Sequence, residues 1–227
     1  QGLVIALYNY MSQILVELVK MANLIITMTK AVACANRVQT ILDMEPDRAE
    51  GKSVGEIKGE IEFRNVNARY AGAAEASVEG ISFHAKPGQT IGIIGGTGSS
   101  KSTLVQLIPR LYDVTEGSVL VGGIDVREYD LNALRDSVAM VLQKNVLFSG
   151  TIKDNLRWGN ENATDEEMRE ACIAACADEF IQTFPDGYDS FIEQGGSNVS
   201  GGQKQRLCIA RALLKKPKVL IMDDSTS

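Results

Sequence analysis

The stretch that most restricts what this chain can fold into is Thr90–Thr103. Thr90-Ile91-Gly92-Ile93-Ile94 is an apolar run of strand length and reads as a buried strand. Gly95-Gly96-Thr97-Gly98-Ser99-Ser100 follow, all small, and Lys101-Ser102-Thr103 open onto Leu104-Val105-Gln106-Leu107-Ile108, which reads as the start of a helix. A strand, a loop of small residues and a helix N-terminus, in that order, make an anion site. Backbone N–H groups point inward, the helix dipole adds partial positive charge, and Lys101 supplies a full one. Small residues let the backbone close around phosphate oxygens, and Ser102 would place its hydroxyl on a Mg²⁺ ion. The phosphate-loop pattern has glycine directly before the lysine, where this chain has Ser100. Serine is small, so the loop reads as altered rather than dead. The competing reading, an ordinary glycine-rich turn, does not account for Lys-Ser-Thr at the helix start.

Residues 1–16 carry no charge, too short a run for a complete membrane span but enough for the inner half of one. Ile14, Leu18, Met21, Ile25, Met28 and Val32 then recur at spacings of three and four, a helical stripe that continues past any bilayer. Lys20, Lys30 and Arg37 are placed as on a cytoplasmic side. A soluble helix packed on the following domain is the alternative. The helix is expected to end near Leu42, before Pro46. The chain starts on Gln1 and stops at Ser227 just after an apolar strand, so both ends read as cuts through a longer protein.

Asp43–Gly59 is rich in charge and glycine and reads as a linker. Ile61–Val66 alternates as a half-buried strand closed by Tyr70, and Ile81–His84 is a second. Ser118–Val121 reads as a strand leading into a tight Gly122-Gly123 turn. Val138–Leu142 is a buried strand with Gln143 at its carboxyl end, where ligands sit in open α/β sheets. The region from 150 to 195 reads as helical and separate from the sheet, with Thr164 and Glu167 in capping-box spacing. Ser200 and Gln203 repeat that spacing, and a helix opening with Ser200-Gly201-Gly202 offers bare N–H groups and a hydroxyl, a second phosphate-reading end. Val219–Met222 reads as a central strand that carries Asp223 and Asp224 to its carboxyl edge. There, Asp223 would hold Mg²⁺ through water and the next acid would orient or deprotonate the attacking water.

Composition excludes several alternatives. With 44% hydrophobic and 23% charged residues among 227, a packed core is expected and disorder is not. The net charge is −6 and no basic stripe is present, so nucleic acid is not an expected partner. Cys34, Cys172, Cys176 and Cys208 are scattered. Cys172 and Cys176 lie four apart on an expected helix face, but no second pair and no nearby histidine completes a metal site. Small buried thiols are the expectation. His84, the single histidine, is expected to face solvent.

As a set, these residues resemble the ATP-binding-cassette (ABC) transporter family over nearly the whole chain. Gly95–Thr103 is similar to the Walker A loop, Val219–Asp223 to Walker B, and Ser200–Gln203 to the family signature, with Val199 where leucine is usual. Gln143 is similar to the glutamine that touches Mg²⁺ and water and reports to the membrane domain. Tyr70 stands where the family places an aromatic that stacks on adenine. Glu193–Gly196 resembles a contact loop of exporters, and the N-terminal stretch the last transmembrane helix of exporters with fused domains. The resemblance implies an α/β P-loop NTPase fold: a mixed sheet core, an antiparallel β subdomain and a helical subdomain, preceded by the end of a transmembrane helix. Its division would be residues 1–45 for that helix and its extension, 46–60 for a linker and 61–227 for the nucleotide-binding domain, with the helical subdomain at about 145–215. It also implies ATP and Mg²⁺ as ligands, with Lys101, Gln143 and Asp224 as the catalytic set and Ser102, Gln143 and Asp223 as the metal set. The nucleotide-binding domain would lie on the cytoplasmic side of the plasma membrane. Soluble relatives that act on chromosomes carry long coiled-coil arms between the phosphate loop and the signature, and too few residues separate Lys101 from Ser200 for such an arm.

Two departures sharpen the expectation. Family members that hydrolyse ATP well have glutamate after the Walker B aspartate, and Asp224 is one methylene shorter. Misplacing a catalytic group by about 1 Å can cost on the order of a hundredfold in rate. The family forms head-to-tail dimers in which each signature completes the other chain's Walker site. A near-consensus signature beside a weakened acid resembles the degenerate-site half of a heterodimer; the alternatives are a homodimer with two weak sites and a regulatory half that binds ATP with little turnover at its own site. The family's dimer loop and switch histidine follow Walker B and are not within the 227 residues, so this stretch alone is not expected to hydrolyse ATP efficiently.

Overall fold

The computed structural model describes residues 2–44, 51, 57–70, 72–73 and 75–223. They fall into two units, residues 1–49 and 50–227.

The first unit is one helix, α1 (Gly2–Leu42), with no buried residue. It ends where expected, and Gln39 closes its last turn by donating to the Asp43 carboxylate at 2.6 Å. Part of it is long and apolar enough to cross a membrane, with a window mean hydropathy of 1.5. Its threonine hydroxyls are satisfied within the helix. Thr27, Thr29 and Thr40 donate to the carbonyls of Asn23, Ile25 and Asn36 at 2.8–2.9 Å, which removes their need for water.

The second unit begins with β1 (Ile61–Ala68) and β2 (Val78–Ala85). Helix α2 (Lys101–Gln106) leads to β3 (Glu116–Val121) and β4 (Ile124–Asp125). These four strands form an antiparallel sheet in the order β2-β1-β3-β4. Phe63 pairs with Phe83 on one side and Val119 on the other, and the two phenylalanine rings stack at 4.5 Å. The β3–β4 turn uses Gly122 and Gly123 at φ 59° and 84°, the left-handed pair that a two-residue hairpin requires. Tyr70 lies two residues beyond β1, not at its end.

Helix α3 (Leu131–Ser137), capped by Asp130, runs directly into β5 (Val138–Val141). Next come β6 (Gly150–Thr151), α4 (Ile152–Arg157), α5 (Asp165–Ala174), α6 (Asp178–Ile181) and β7 (Phe191–Ile192). The fourteen-residue α7 (Gly201–Leu214) and β8 (Val219–Met222) end the described chain. Strands β5 and β8 pair in parallel.

Two main cores result. One joins the antiparallel sheet to α3, β5 and β8 through Phe63, Val66, Leu107, Val119, Leu134 and Ile221. The other, with Leu147, Ile152, Met168, Ile181, Leu207 and Leu214, belongs to the helices between β5 and β8. The Thr164–Glu167 capping box is present, Glu167 N–H donating to Thr164 Oγ1 at 3.2 Å and Thr164 N–H to Glu167 Oε2 at 3.0 Å.

Three further expectations are corrected. Thr90–Ile94 is not a buried strand: Ile91, Ile93 and Ile94 are 41%, 39% and 99% exposed. A strand exists only through its ladder, and among the described residues no neighbour hydrogen-bonds to this run. Strand β5 stops at Val141, leaving Leu142 exposed. The cysteines do not share a helix face. Helix α5 ends at Ala174, and Cys176 sits beyond it at φ 53°. Only Cys172 is buried, whereas Cys34 and Cys176 are exposed and Cys208 is intermediate. Burial pushes the Cys172 thiol up to about 11. His84 is exposed as expected, and its Nε2 lies 2.6 Å from Glu60.

Candidate functional site

Gly95–Ser100 forms an open turn before α2. Ser99 N–H donates to Gly96 O at 3.2 Å, and Gly98 takes φ 81°, which glycine adopts without strain. Ser100, the residue in the usual glycine place, also takes a left-handed conformation, φ 58° and ψ 24°, and its side chain makes no capping bond. The first N–H groups of a helix have no intrahelical acceptor. Ser100 does not cap those of α2 with its side chain. Lys101 Nζ folds over the loop, donating to Gly95 O at 2.7 Å, Gly96 O at 2.9 Å and Ser99 Oγ at 3.4 Å. No carboxylate pairs with it among the described residues. An ammonium held by neutral carbonyls keeps its full charge for an incoming anion. Ser102 and Thr103 occupy the first turn of α2, and Tyr70 reaches that turn, its hydroxyl lying 2.9 Å from Thr103 Oγ1.

The parallel register brings a second group together. Val141 pairs with Met222, and Asp223 N–H donates to Val141 O at 2.9 Å. Gln143 and Asp223 therefore leave the same carboxyl edge of two adjacent strands. Asp224 lies outside the described residues.

The loop that carries Gln143 is tied to α7. Asn155, 2% exposed, receives Phe148 N–H on Oδ1 and donates to Phe148 O, both at 2.8 Å. Arg211 of α7 donates to Val146 O and to Asn155 Oδ1, each at 3.3 Å, and its guanidinium stands 5.8 Å from the Phe148 ring centroid. Burial pushes the Arg211 pKa below its ordinary value. A cavity of about 310 Å³ opens here, lined by Leu142, Lys144, Phe148, Trp158 and Arg211 among others. Asn155 and Arg211 were not among the sequence candidates. The one signal was a charged residue, Arg211, inside the apolar pattern of α7.

Ser200 is the N-cap of α7 with a complete capping box. Its Oγ accepts from Gln203 N–H at 3.3 Å, and Gln203 Oε1 accepts from Ser200 N–H at 2.9 Å. The hydroxyl proton of Ser200 stays available as a donor, and Gly201 and Gly202 are exposed. Among the described residues no hydrogen bond joins Ser200–Gln203 to the Gly95–Thr103 loop.

A glycine-rich loop with a lysine at a helix start, and an amide and a carboxylate at the carboxyl edge of two parallel strands, are the features of the P-loop NTPase class. Residues 78–227 match the ABC transporter family, and the chain belongs to it. It is 44% identical over 227 residues to an uncharacterized ABC transporter ATP-binding protein of Bacillus subtilis, covering 100% of this chain and 40% of that protein. It is 41% identical over 229 residues to a putative multidrug export ATP-binding/permease protein of the same organism, with the same coverage. An ATP-dependent lipid A-core flippase of Desulfotalea psychrophila is 41% identical over 204 residues, 88% of this chain and 35% of that protein. The chain thus spans about two fifths of the length of the curated relatives it matches most fully.

Proposed function

We propose that this chain binds and hydrolyses ATP to drive export across a membrane, as the nucleotide-binding part of an ABC exporter with a fused membrane domain. The observation that carries this reading is the Lys101 ammonium held over an open loop at an uncapped helix start, in a chain of this family. Gly95, Gly96, Thr97, Gly98, Ser99, Ser100 and Thr103 would cradle the phosphates and Tyr70 would meet the base. The hydroxyl of Ser102, the amide of Gln143 and the carboxylate of Asp223 are hard oxygen donors that suit Mg²⁺. The ion would neutralise charge on the phosphates, and Gln143 and Asp224 would orient the attacking water. Residues 1–45 would be the end of the last transmembrane helix and its extension, 46–60 a linker, and 61–227 the nucleotide-binding domain with its helical subdomain at about 145–215. The domain would face the cytoplasm from the plasma membrane. The loop carrying Gln143 would report to the membrane domain, a role that its ties to α7 support.

The short acid at Asp224 favours a finer reading. The local site turns over slowly, while Ser200, Gly201, Gly202 and Gln203 complete the site of a different partner chain in a heterodimer. Asp224→Glu in the full-length transporter is expected to raise turnover at least tenfold, measured as single-turnover ATP hydrolysis with the partner present. An unchanged rate would reject the slow-site reading. Purification without a distinct co-eluting subunit would reject the heterodimer.

A further inference from the structure

The geometry points to Tyr112 as a second base-contacting residue, the wall of a two-ring corner that receives the flat heteroaromatic base of the nucleotide. This rests on the reading that ATP binds at Lys101. Tyr70 and Tyr112 meet edge to face, centroids 4.9 Å apart and ring planes 89° to each other. Two perpendicular rings make a corner, so a planar base stacked on one presents its edge to the other. The corner lines a cavity of about 380 Å³ with Ala68, Arg69, Thr103 and Asp113, within the range of about 300–1,000 Å³ usual for small-molecule sites. Thr103 belongs to the first turn of α2, so the cavity borders the helix that bears Lys101 at its start.

Tyr112 is held in place independently of any ligand. Its neighbour Asp113 takes a two-pronged grip from Arg110, with Nε to Oδ1 at 2.7 Å and Nη2 to Oδ2 at 3.2 Å. Arg110 also donates to Arg127 O at 3.3 Å. From α3, Arg135 donates to the carbonyls of Pro109 and Arg110 at 3.2 and 3.0 Å. Leu111 N–H closes the turn on Gln106 O at 3.0 Å. Two arginines thus brace the residues on both sides of a tyrosine that itself stays 47% exposed. A rigid mount for an open aromatic ring suits stacking, which recognises any base by its face and discriminates weakly between bases.

The test uses the full-length protein with EDTA present, so that nothing is hydrolysed, and measures calorimetric affinity for ATP and for inorganic tripolyphosphate, which has no base. Tyr112→Ala is expected to weaken ATP binding about five- to tenfold and to leave tripolyphosphate binding unchanged. Tyr112→Phe, which keeps the ring, is expected to retain ATP affinity within about twofold. In a Tyr70→Ala background, Tyr112→Ala should still cost at least about threefold, because the ring itself touches the base. Unchanged ATP affinity in Tyr112→Ala, equal losses for both ligands, or disappearance of the effect without Tyr70 would each overturn the assignment. A native protein that binds neither ligand would overturn the underlying nucleotide reading as well.

Discussion

Ser100 and Ser200 each stand one residue before a helix, yet their backbones and side chains are set up in opposite ways. Ser200 has extended backbone, φ −68° and ψ 160°, and a reciprocal cap with Gln203. Ser100 is left-handed and caps nothing. The α7 end satisfies part of its own hydrogen-bonding demand and would offer a ligand a finished surface: one hydroxyl proton and two bare glycines. The α2 end leaves its demand open, with only the lysine side chain folded across the loop. A helix start left unsatisfied in this way costs stability that a bound anion can restore. The contrast matches the roles proposed here, with α2 gripping the phosphates of its own nucleotide and α7 closing over a partner's.

The strongest way to break that contrast is to remove the charge from the open end. Lys101→Ala in the full-length protein is expected to reduce ATP affinity about a hundredfold. Charge-assisted hydrogen bonds contribute about 1.5–3 kcal/mol each, and about 1.4 kcal/mol is a factor of ten. Equilibrium binding with EDTA present measures it. A loss of less than about threefold would mean that the loop does not hold the phosphates.

A second perturbation acts on what α7 does away from its cap. Asn155→Ala removes both bonds to the Phe148 backbone, a third to Thr151 O and the Arg211 contact, all made by a side chain that is itself buried. The expected cost is about 2–3 kcal/mol, read as a lower unfolding midpoint. Faster amide exchange at residues 144–148 should accompany it, because that loop is tied to α7 mainly through this cluster. Slow exchange there despite the lower midpoint would show that the loop is held by something else.

These residues also show where sequence reading succeeds and where it stops. The boxes at Thr164 and Ser200 were legible because both members lie within one helical turn, so spacing alone defines the bond. The antiparallel strands were legible because each alternates and the Gly122-Gly123 turn joins two of them. Thr90–Ile94 was misread because its apolar run is strand-like in composition, but a strand also needs a neighbour, and none is paired with it among the described residues. The four-residue spacing of Cys172 and Cys176 has meaning only if the helix continues, and α5 stops between them. Asn155, Arg211 and Tyr112 escaped because each acts through contacts distant in sequence. Arg211 reaches back to Val146, and Tyr112, between α2 and β3, meets Tyr70, beyond the end of β1.

The smallest effects give the sharpest comparison, because the same substitution should have opposite signs at the two serines. At position 200 the backbone is ordinary and the side chain carries the cap. Ser200→Ala is expected to cost about 1 kcal/mol and Ser200→Gly a few tenths. At position 100 the side chain caps nothing, and a non-glycine residue in the left-handed region carries about 1–2 kcal/mol of strain. Glycine removes that strain but loses about 0.5–1 kcal/mol to its greater freedom when unfolded, so Ser100→Gly is expected to gain about 0.5 kcal/mol net. Thermal unfolding of matched full-length variants without nucleotide reads both. Were Ser100→Gly to destabilise as Ser200→Ala does, the Ser100 side chain would be bonded in solution, and the α2 start would be a closed cap instead of an open phosphate seat.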